Sequence, residues 1–304
     1  MSGVAGATRI KSRIDFCQFI DSYSKLIEQF PGFVSLRASG SFNSDSSKQD
    51  FGDIDLIVHI DSTKPKPALK KDMQKFFEAQ SDSVIVPFTS QKYNGKRSYN
   101  SGEIVTVRYF DPNLGYSVQI DNIIALDANE ADFKQHFLDF TATKQGLILG
   151  LVKISTVETE PKELFARLGI DIAVLDPGGL IHVEAPFGSD YDQEYEFNLS
   201  SSELQLRKVT YVHSSYAQAY RTVIWKSHRI QDLASLLYQY DLNADFDSLL
   251  LQSKTTVHNS RSFKRIPGVF TSMISVKSGE VGTKKGDEKT LAIKKVQSTF
   301  AEIA

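Results

Sequence analysis

Two segments of the chain alternate strictly between apolar and polar side chains, and this alternation constrains the fold more than any other feature of the sequence. They are 53–60 (DIDLIVHI) and 116–124 (YSVQIDNII). Because successive side chains of a strand point to opposite faces of a sheet, each segment has one apolar face and one polar face. The sequence therefore predicts two half-buried strands that are far apart in the chain.

The surrounding segments predict an α+β fold. Further strands are expected at 34–38, 84–88 and 104–110, the last forming a hairpin with 116–126 around the turn DPNLG. Helical spacing of apolar residues predicts helices at 12–30, 68–80, 131–140, 144–154, 161–168 and over much of 202–240, with a short strand at 179–185. We therefore predict a mixed sheet flanked by helices in residues 1–130, followed by a mainly helical domain in residues 131–304.

Composition excludes several kinds of site. The single cysteine, Cys17, excludes an internal disulfide framework and a thiolate zinc cluster, and its apolar neighbours predict core packing. The six histidines contain no HxxxH or HxH pair, which argues against a histidine-rich metal centre. The longest apolar run, 146–152, is much shorter than the roughly 20 residues that cross a bilayer, and the first residues lack an apolar signal segment. We expect a cytoplasmic protein that does not engage a membrane.

The polar faces of the two alternating strands carry three carboxylates. Asp53 and Asp55 share the face opposite the apolar residues of 53–60, and Asp121 lies on the polar face of 116–124. If the strands are neighbours with both apolar faces inward, the three carboxylates share one surface. Carboxylates held side by side repel unless cations lie between them, and hard oxygen ligands of this kind suit Mg²⁺. The pattern therefore indicates a site for two metal ions.

A Gly40-Ser41 pair lies between the first strand and the first two carboxylates, and eleven residues separate it from Asp53. Glycine allows the backbone to approach an anion closely, and consecutive N–H groups of such a turn together with the Ser41 hydroxyl can bind phosphate oxygens. The strand, the turn and the Asp-x-Asp strand together predict a site for a nucleoside triphosphate and its magnesium.

This arrangement of Gly-Ser, Asp-x-Asp and a third Asp on a later strand resembles the nucleotidyltransferase superfamily, which has the fold of DNA polymerase beta. The resemblance covers residues 34–126. It implies that Asp53, Asp55 and Asp121 are catalytic and bind two Mg²⁺ ions, that Asp121 can also act as a base, and that Gly40 and Ser41 contact the triphosphate. In such families a basic residue on a helix after the third carboxylate often contacts the triphosphate, and Lys144 and Lys153 are available; we select Lys153.

The activity implied is transfer of a nucleoside monophosphate from an NTP to a hydroxyl acceptor, a nucleotide or an RNA 3′ end, with release of pyrophosphate. The alternatives are modification of a small molecule, synthesis of linear or cyclic oligonucleotides, and nucleotide binding without catalysis. A purely structural interpretation also stays open, in which Asp53 and Asp55 only keep a sheet edge polar.

Other residues suggest a polyanion surface. Between Lys254 and Lys295 there are ten Lys or Arg and three acidic residues, a local charge of +7 in a chain of −2. Arg221, Trp225 and Arg229 recur at the spacing of one helical face and could stack bases, or could be an ordinary solvated face over a core Trp. His59 lies on the face of Asp55 and is interpreted as an ordinary polar-face residue, with a place near the site as the alternative. Arg37 precedes the turn and either supports the site or is solvated.

Overall fold

The structure is a computed structural model, and it describes residues 6–80, 85–87, 92–93, 96–97, 104–159, 161–171, 195–200, 202–212, 215–258, 265–277 and 284–301. Contacts divide the chain into two compact units, Met1–Phe140 and Thr141–Ala304. The short strand expected at 179–185 lies outside the described residues. None of the described helices is both long and apolar enough to span a membrane.

The first unit is built on a mixed five-stranded sheet. Its strands are β1 (Phe33–Ser39), β2 (Ile54–Ile60), β3 (Ile85–Pro87), β6 (Ile104–Asp111) and β7 (Tyr116–Ala125), and a separate two-stranded pair is formed by β4 (Lys92–Tyr93) and β5 (Lys96–Arg97). The order of the main sheet is β1-β2-β7-β6-β3, in which β2 and β7 run parallel and the other neighbours run antiparallel. The predicted mixed sheet is confirmed.

Four helices belong to this unit: α1 (Arg13–Ile27), α2 (Ser41–Ser44), α3 (Lys66–Glu78) and α4 (Ala128–Leu138). The helix α1 begins after Ser12, whose side chain accepts a hydrogen bond from the Asp15 N–H at 3.0 Å. It ends at Ile27, before the predicted Pro31-Gly32 stop. Cys17 is exposed on α1, so the prediction that it packs in the core is wrong; the buried face of this helix is formed instead by Phe16, Phe19, Tyr23 and Ile27.

The two faces of the main sheet are covered by different helices. The face that carries Ile54, Leu56 and Val58 shares one buried cluster with apolar residues of α1 and α3. On the opposite face, Ile57 and Ile123 pack with Ala131 of α4. Asp55 lies two residues before Ile57, and Asp121 lies two residues before Ile123, so each carboxylate is on the same face as the isoleucine that follows it. On this face of the sheet, the carboxylates therefore border the apolar residues that α4 covers.

Three charged side chains, joined by ion pairs, link α4 to the main sheet. Glu130 and Lys134 are each about 1% exposed and lie 2.9 Å apart, and Lys66 also pairs with Glu130. Glu130 accepts a hydrogen bond from the Leu126 N–H at 2.9 Å, and Lys134 donates to the carbonyl oxygen of Ile124. The residues that follow α4 are therefore held at a defined position beside the sheet.

The second unit contains six described helices: α5 (Ala142–Glu158), α6 (Pro161–Arg167), α7 (Ile230–Leu236), α8 (Phe246–His258), α9 (Ile266–Lys277) and α10 (Lys284–Ala301). Gly146 and Gly150 open a groove on α5 for α9, because a Cβ on Gly146 would lie 2.6 Å from the Cα of Ile274 and one on Gly150 would overlap the Phe270 ring. The apolar run 146–152 is thus a buried helix face, and the predicted helical character of this part is confirmed.

This unit also contains a three-stranded antiparallel sheet, formed by β8 (Tyr195–Leu199), β9 (Leu204–Val212) and β10 (Ser215–Ser227) in the order β10-β9-β8. The prediction of helices over 202–240 is therefore wrong up to residue 227. The segment is rich in Tyr, Val and Thr, which favour strands, and the buried Leu204 and Leu206 alternate with the polar Gln205 and Arg207.

Candidate active site

The strand register of the first unit aligns four polar residues in one row across the main sheet. Ser39 of β1 lies opposite Asp55 of β2, Asp55 lies opposite Asp121 of β7, and Asp121 lies opposite Thr106 of β6. Side chains at one level of neighbouring strands project from the same face. The row therefore brings together two of the three predicted carboxylates, on the face that α4 partly covers.

The third carboxylate, Asp53, lies just before β2 and within electrostatic reach of Asp121. Its negative charge is one of the causes that raise the pKa of Asp121. Within the described ranges, no group of three or more His, Cys, Asp or Glu side chains is arranged to hold a metal ion. The structure thus brings the acidic residues to one region, and their role as metal ligands stays a prediction.

The carboxylate of Asp121 is held by two uncharged donors. The Thr106 hydroxyl donates to Oδ1 at 2.6 Å, and the Gln119 side-chain amide donates to Oδ2 at 2.9 Å. Burial raises the pKa of Asp121 most strongly and the charge of Asp53 raises it further, whereas the two hydrogen bonds lower it. The net shift is upward, so the surroundings of Asp121 favour proton uptake.

The Gly40-Ser41 turn lies directly against the row of carboxylates. Gly40 has φ +75°, and a Cβ at this position would lie 2.5 Å from Oδ2 of Asp55, so only glycine fits without displacing that carboxylate. Ser41 is the first residue of α2 and is half-buried. The two parts of the predicted site that are closest in sequence, the turn and the Asp-x-Asp segment, therefore also touch in space.

A carboxylate that the sequence did not single out also contacts this turn. Oδ1 of Asp139 accepts a hydrogen bond from the Gly40 N–H at 2.9 Å, and Oδ2 accepts one from the Asn43 side-chain amide at 3.0 Å. Burial raises the pKa of Asp139, and its hydrogen bonds with Asn43 and Gly40 oppose this shift. Because the Gly40 N–H is already donated to Asp139 and the Cα side of Gly40 lies against Asp55, the predicted phosphate contact of this turn narrows to Ser41.

Ser39 is the other unexpected member of the row. It is about 1% exposed, and its Oγ has no hydrogen-bond partner among the described residues. A buried hydroxyl without a partner is uncommon because its desolvation is not compensated. It lies beside Asp55, at the end of β1 and just before the turn.

Three residues that contact the candidate site were missed for different reasons. Gln119 lies two residues before Asp121 on the same strand face, so the alternation already contained its signal. Thr106 could be found only by counting the hairpin register back from the turn at 111–115, because it pairs with Asp121 across the hairpin. Nothing local in the sequence distinguishes Asp139 from other acidic residues at a helix end.

The predicted basic residues belong to the second unit. Lys153 is half-buried on α5, and its contact with a triphosphate stays a prediction. Lys144 is buried at the start of α5; burial lowers its pKa, whereas the charges of Asp241 and Asp245 raise it. These two aspartates belong to the same unit, so Lys144 has acidic neighbours of its own there.

The helical stacking face predicted for Arg221, Trp225 and Arg229 is wrong, because Arg221 and Trp225 lie on the strand β10. Arg221 donates to Glu196 at 3.0 Å. In the basic segment 254–295, Lys295 is paired with Asp247 at 2.6 Å, whereas Arg261 and Lys264 lie outside the described residues. The binding of a polyanion by this segment therefore stays a prediction.

Arg37 has a structural partner on α4. Its guanidinium forms an ion pair with Asp132 and donates a long hydrogen bond of 3.4 Å to Gln135. His59 lies on β2, four residues after Asp55, and is half-buried. Arg37 thus links β1 to α4, and whether it supports the site stays a prediction.

No protein-family model matches the chain, and no curated protein matches its sequence. Among solved structures, the chain is similar to the Cid1 poly(U) polymerase with magnesium and 3′-dATP bound, at 13% identity and a TM-score of 0.32, covering 94% of this chain and 86% of that chain. It is also similar to CdnC of E. coli MS115-1, in complex with HORMA-deltaN, at 12% identity and a TM-score of 0.26, covering 88% and 92%. Likeness at this level carries no argument about activity, so any functional conclusion has to come from the site.

Proposed function

We propose that the protein is a magnesium-dependent nucleotidyltransferase that moves a nucleoside monophosphate from an NTP to a hydroxyl acceptor, a nucleotide or an RNA 3′ end. The observation that supports this most directly is the contact between the Gly40 turn and the Asp55 carboxylate, next to Asp121 in the same row. A phosphate-binding turn and a pair of carboxylates are the two parts that such a reaction needs at one place.

The donor set fits magnesium by its chemistry. Asp53, Asp55 and Asp121 offer hard carboxylate oxygens, and the like charges of Asp53 and Asp121 act on each other. The two donors to Asp121 occupy one lone pair on each oxygen and leave the other available. These three residues would hold the metal ions. Bound Mg²⁺ would neutralise the triphosphate and the charge that develops on the departing pyrophosphate.

Each residue of the site has a distinct task in the proposed reaction. The Ser41 hydroxyl binds a phosphate oxygen and orients the triphosphate, while Gly40 allows the turn to approach the Asp55 carboxylate closely. The acceptor oxygen bonds to the α-phosphorus as the bond from this phosphorus to the bridging oxygen breaks, and pyrophosphate leaves with the bonding electrons. Asp121 takes the proton of the acceptor hydroxyl, and Thr106 and Gln119 fix its orientation.

The decisive experiment measures the transfer of label from each of the four NTPs, labelled at the α-phosphate, to total cellular RNA and to free nucleotides. We expect label to enter one of these acceptors only when Mg²⁺ is present. The variant Asp55→Asn should lower the rate by about a thousandfold, because the site loses a charged group that is needed in the transition state.

The matched control is Asp132→Asn, which removes an exposed carboxylate on α4 that pairs with Arg37. It should keep the wild-type transfer rate. A thermal-shift series with each NTP, with and without Mg²⁺, separates the alternatives. Magnesium-dependent nucleotide binding without transfer would favour the non-catalytic alternative. An Asp55→Asn variant with full transfer activity would refute the proposal.

A further inference from the structure

Asp139 connects the residues after α4 with the turn that begins at Gly40. Its two carboxylate oxygens accept the Gly40 N–H at 2.9 Å and the Asn43 side-chain amide at 3.0 Å. The same amide of Asn43 donates to the carbonyl oxygen of Ala38 at 2.8 Å. Hydrogen bonds therefore hold the turn on both sides of Gly40. Asp139 accepts the bond from Gly40 itself, and Asn43 links the residues after Gly40 to Ala38 before it.

Gly40 is the residue of this turn that lies against the Asp55 carboxylate, so a displacement of the turn would change its distance from Asp55. Its amide side faces Asp139, and its Cα side lies so close to Asp55 that no side chain fits between them. Gly40 has φ +75° and is the N-cap of α2, where its carbonyl oxygen accepts from the Asn43 and Ser44 N–H groups at 3.1 Å. Without Asp139, the Gly40 amide would lose its acceptor and the turn could move away from Asp55.

The other end of the turn is fixed independently of Asp139. The Arg13 guanidinium donates to the carbonyl oxygen of Phe42 at 2.9 Å and lies 4.0 Å from the centre of the Phe42 ring. Phe16 of α1 stacks on the same ring, with centroids 4.1 Å apart. A change at Asp139 should therefore loosen the Gly40 side of the turn without releasing α2 from α1.

We propose that Asp139 is a positioning residue of the candidate active site. It holds Gly40 and Ser41 at the distance from Asp55 that the triphosphate requires, and it does not itself contact the nucleotide. This inference rests on the proposed function for the identity of the ligand. The opposite role, a carboxylate that competes with phosphate for the Gly40 N–H, would require the hydrogen bond from Gly40 to Asp139 to break whenever a nucleotide binds.

The first measurement needs no nucleotide. Amide hydrogen exchange of the segment 38–44 is compared between the wild type, Asp139→Ala, Asp139→Asn and the control Asp132→Ala, which removes an exposed carboxylate from α4. We expect Asp139→Ala to speed exchange in this segment by about tenfold, because a charge-assisted hydrogen bond of the turn is lost. Asp139→Asn keeps one acceptor for the Gly40 N–H and should show a smaller change. The control should match the wild type.

The second measurement separates a positioning role from a merely structural one. With Mg²⁺ saturating, Asp139→Ala should raise KM for the NTP by about tenfold while kcat changes by less than about threefold, since the aspartates of β2 and β7 stay in place. Asp139→Asn should recover part of the affinity. If Asp139→Ala fails to fold, Asn43→Ala removes the second donor to Asp139 from an exposed position and is measured in the same way.

The outcomes are distinct from those for the proposed function. Unchanged exchange in the segment 38–44, or faster exchange with unchanged KM, would overturn the role of Asp139 and leave the proposed function standing. Tighter nucleotide binding by Asp139→Ala would also overturn it, because it would identify the carboxylate as a competitor. A wild type that neither binds nor transfers nucleotides would refute the proposed function itself, whatever the exchange data show.

Discussion

Each of the two units contains a sheet with a carboxylate on its polar face, and the carboxylates of the two sheets have different partners. On the sheet of the second unit, Glu196 is paired with Arg221 at 3.0 Å and with Arg207 at 3.7 Å. On the sheet of the first unit, the side chains that donate to Asp121 are uncharged, and Asp53 adds a like charge. A carboxylate paired with guanidinium groups is typical of a stabilised surface, whereas a buried carboxylate that has uncharged donors and a like charge nearby costs stability in its ionised form.

The largest difference between the two faces should appear when Asp121 is neutralised. Because folding raises the pKa of Asp121, its stabilising contribution is complete only below the unfolded pKa of about 3.9 and is lost as the pH rises through the folded pKa. Asp121→Asn does not titrate. It should therefore be more stable than the wild type at pH 7.5, with this advantage shrinking towards acid pH, while nucleotide transfer is lost.

Thermal unfolding of both proteins from pH 3.5 to 8 checks this prediction. A variant that is less stable than the wild type at every pH would show that the hydrogen bonds from Thr106 and Gln119 outweigh the cost of the charge. The ionised Asp121 would then not lower the stability of the first unit, and the contrast with Glu196 would be refuted. The expected loss of nucleotide transfer is measured separately.

Neutralising Glu196 should lower the stability of the protein, whereas neutralising Asp121 should raise it at pH 7.5. Glu196→Gln removes the charge that Arg207 and Arg221 share, and it leaves two guanidinium groups close together. We expect the free energy of unfolding at pH 7.5 to fall by about 0.5–1 kcal/mol, since the pairs are partly exposed. The rate of nucleotide transfer should stay at the wild-type value. Urea unfolding gives the first quantity, and a gain in stability would contradict the comparison.

The smallest effect is expected at Ser39. Its buried hydroxyl has no partner among the described residues, so Ser39→Ala removes a polar group whose desolvation is uncompensated. We therefore expect the free energy of unfolding to rise slightly, by less than about 0.5 kcal/mol. A transfer rate that drops together with unchanged stability would show that this hydroxyl finds its partner in the nucleotide complex. A loss of more than 1–2 kcal/mol would instead indicate a hydrogen bond within the folded chain.

Much of the first unit follows from its local sequence pattern. The alternation in 53–60 and 116–124 correctly predicted two strands and which residues of each face the core, and the helical period correctly predicted α1, α3 and α4. The second unit was harder to predict, because the segment 204–227 combines strand-forming residues with a spacing of Arg and Trp that also fits a helix. Its strands are stabilised by pairing with neighbours, which a local pattern does not contain.

By itself, the sequence determined which side chains are polar at each strand and that Gly40 precedes an Asp-x-Asp strand, because periodicity and residue type are local properties. Only the tertiary structure decided that Ser39, Asp55, Asp121 and Thr106 form one row and that Asp139 holds the Gly40 turn. Register and long-range hydrogen bonds depend on how distant segments pack, since a shift of one residue would turn every side chain of a strand to the other face.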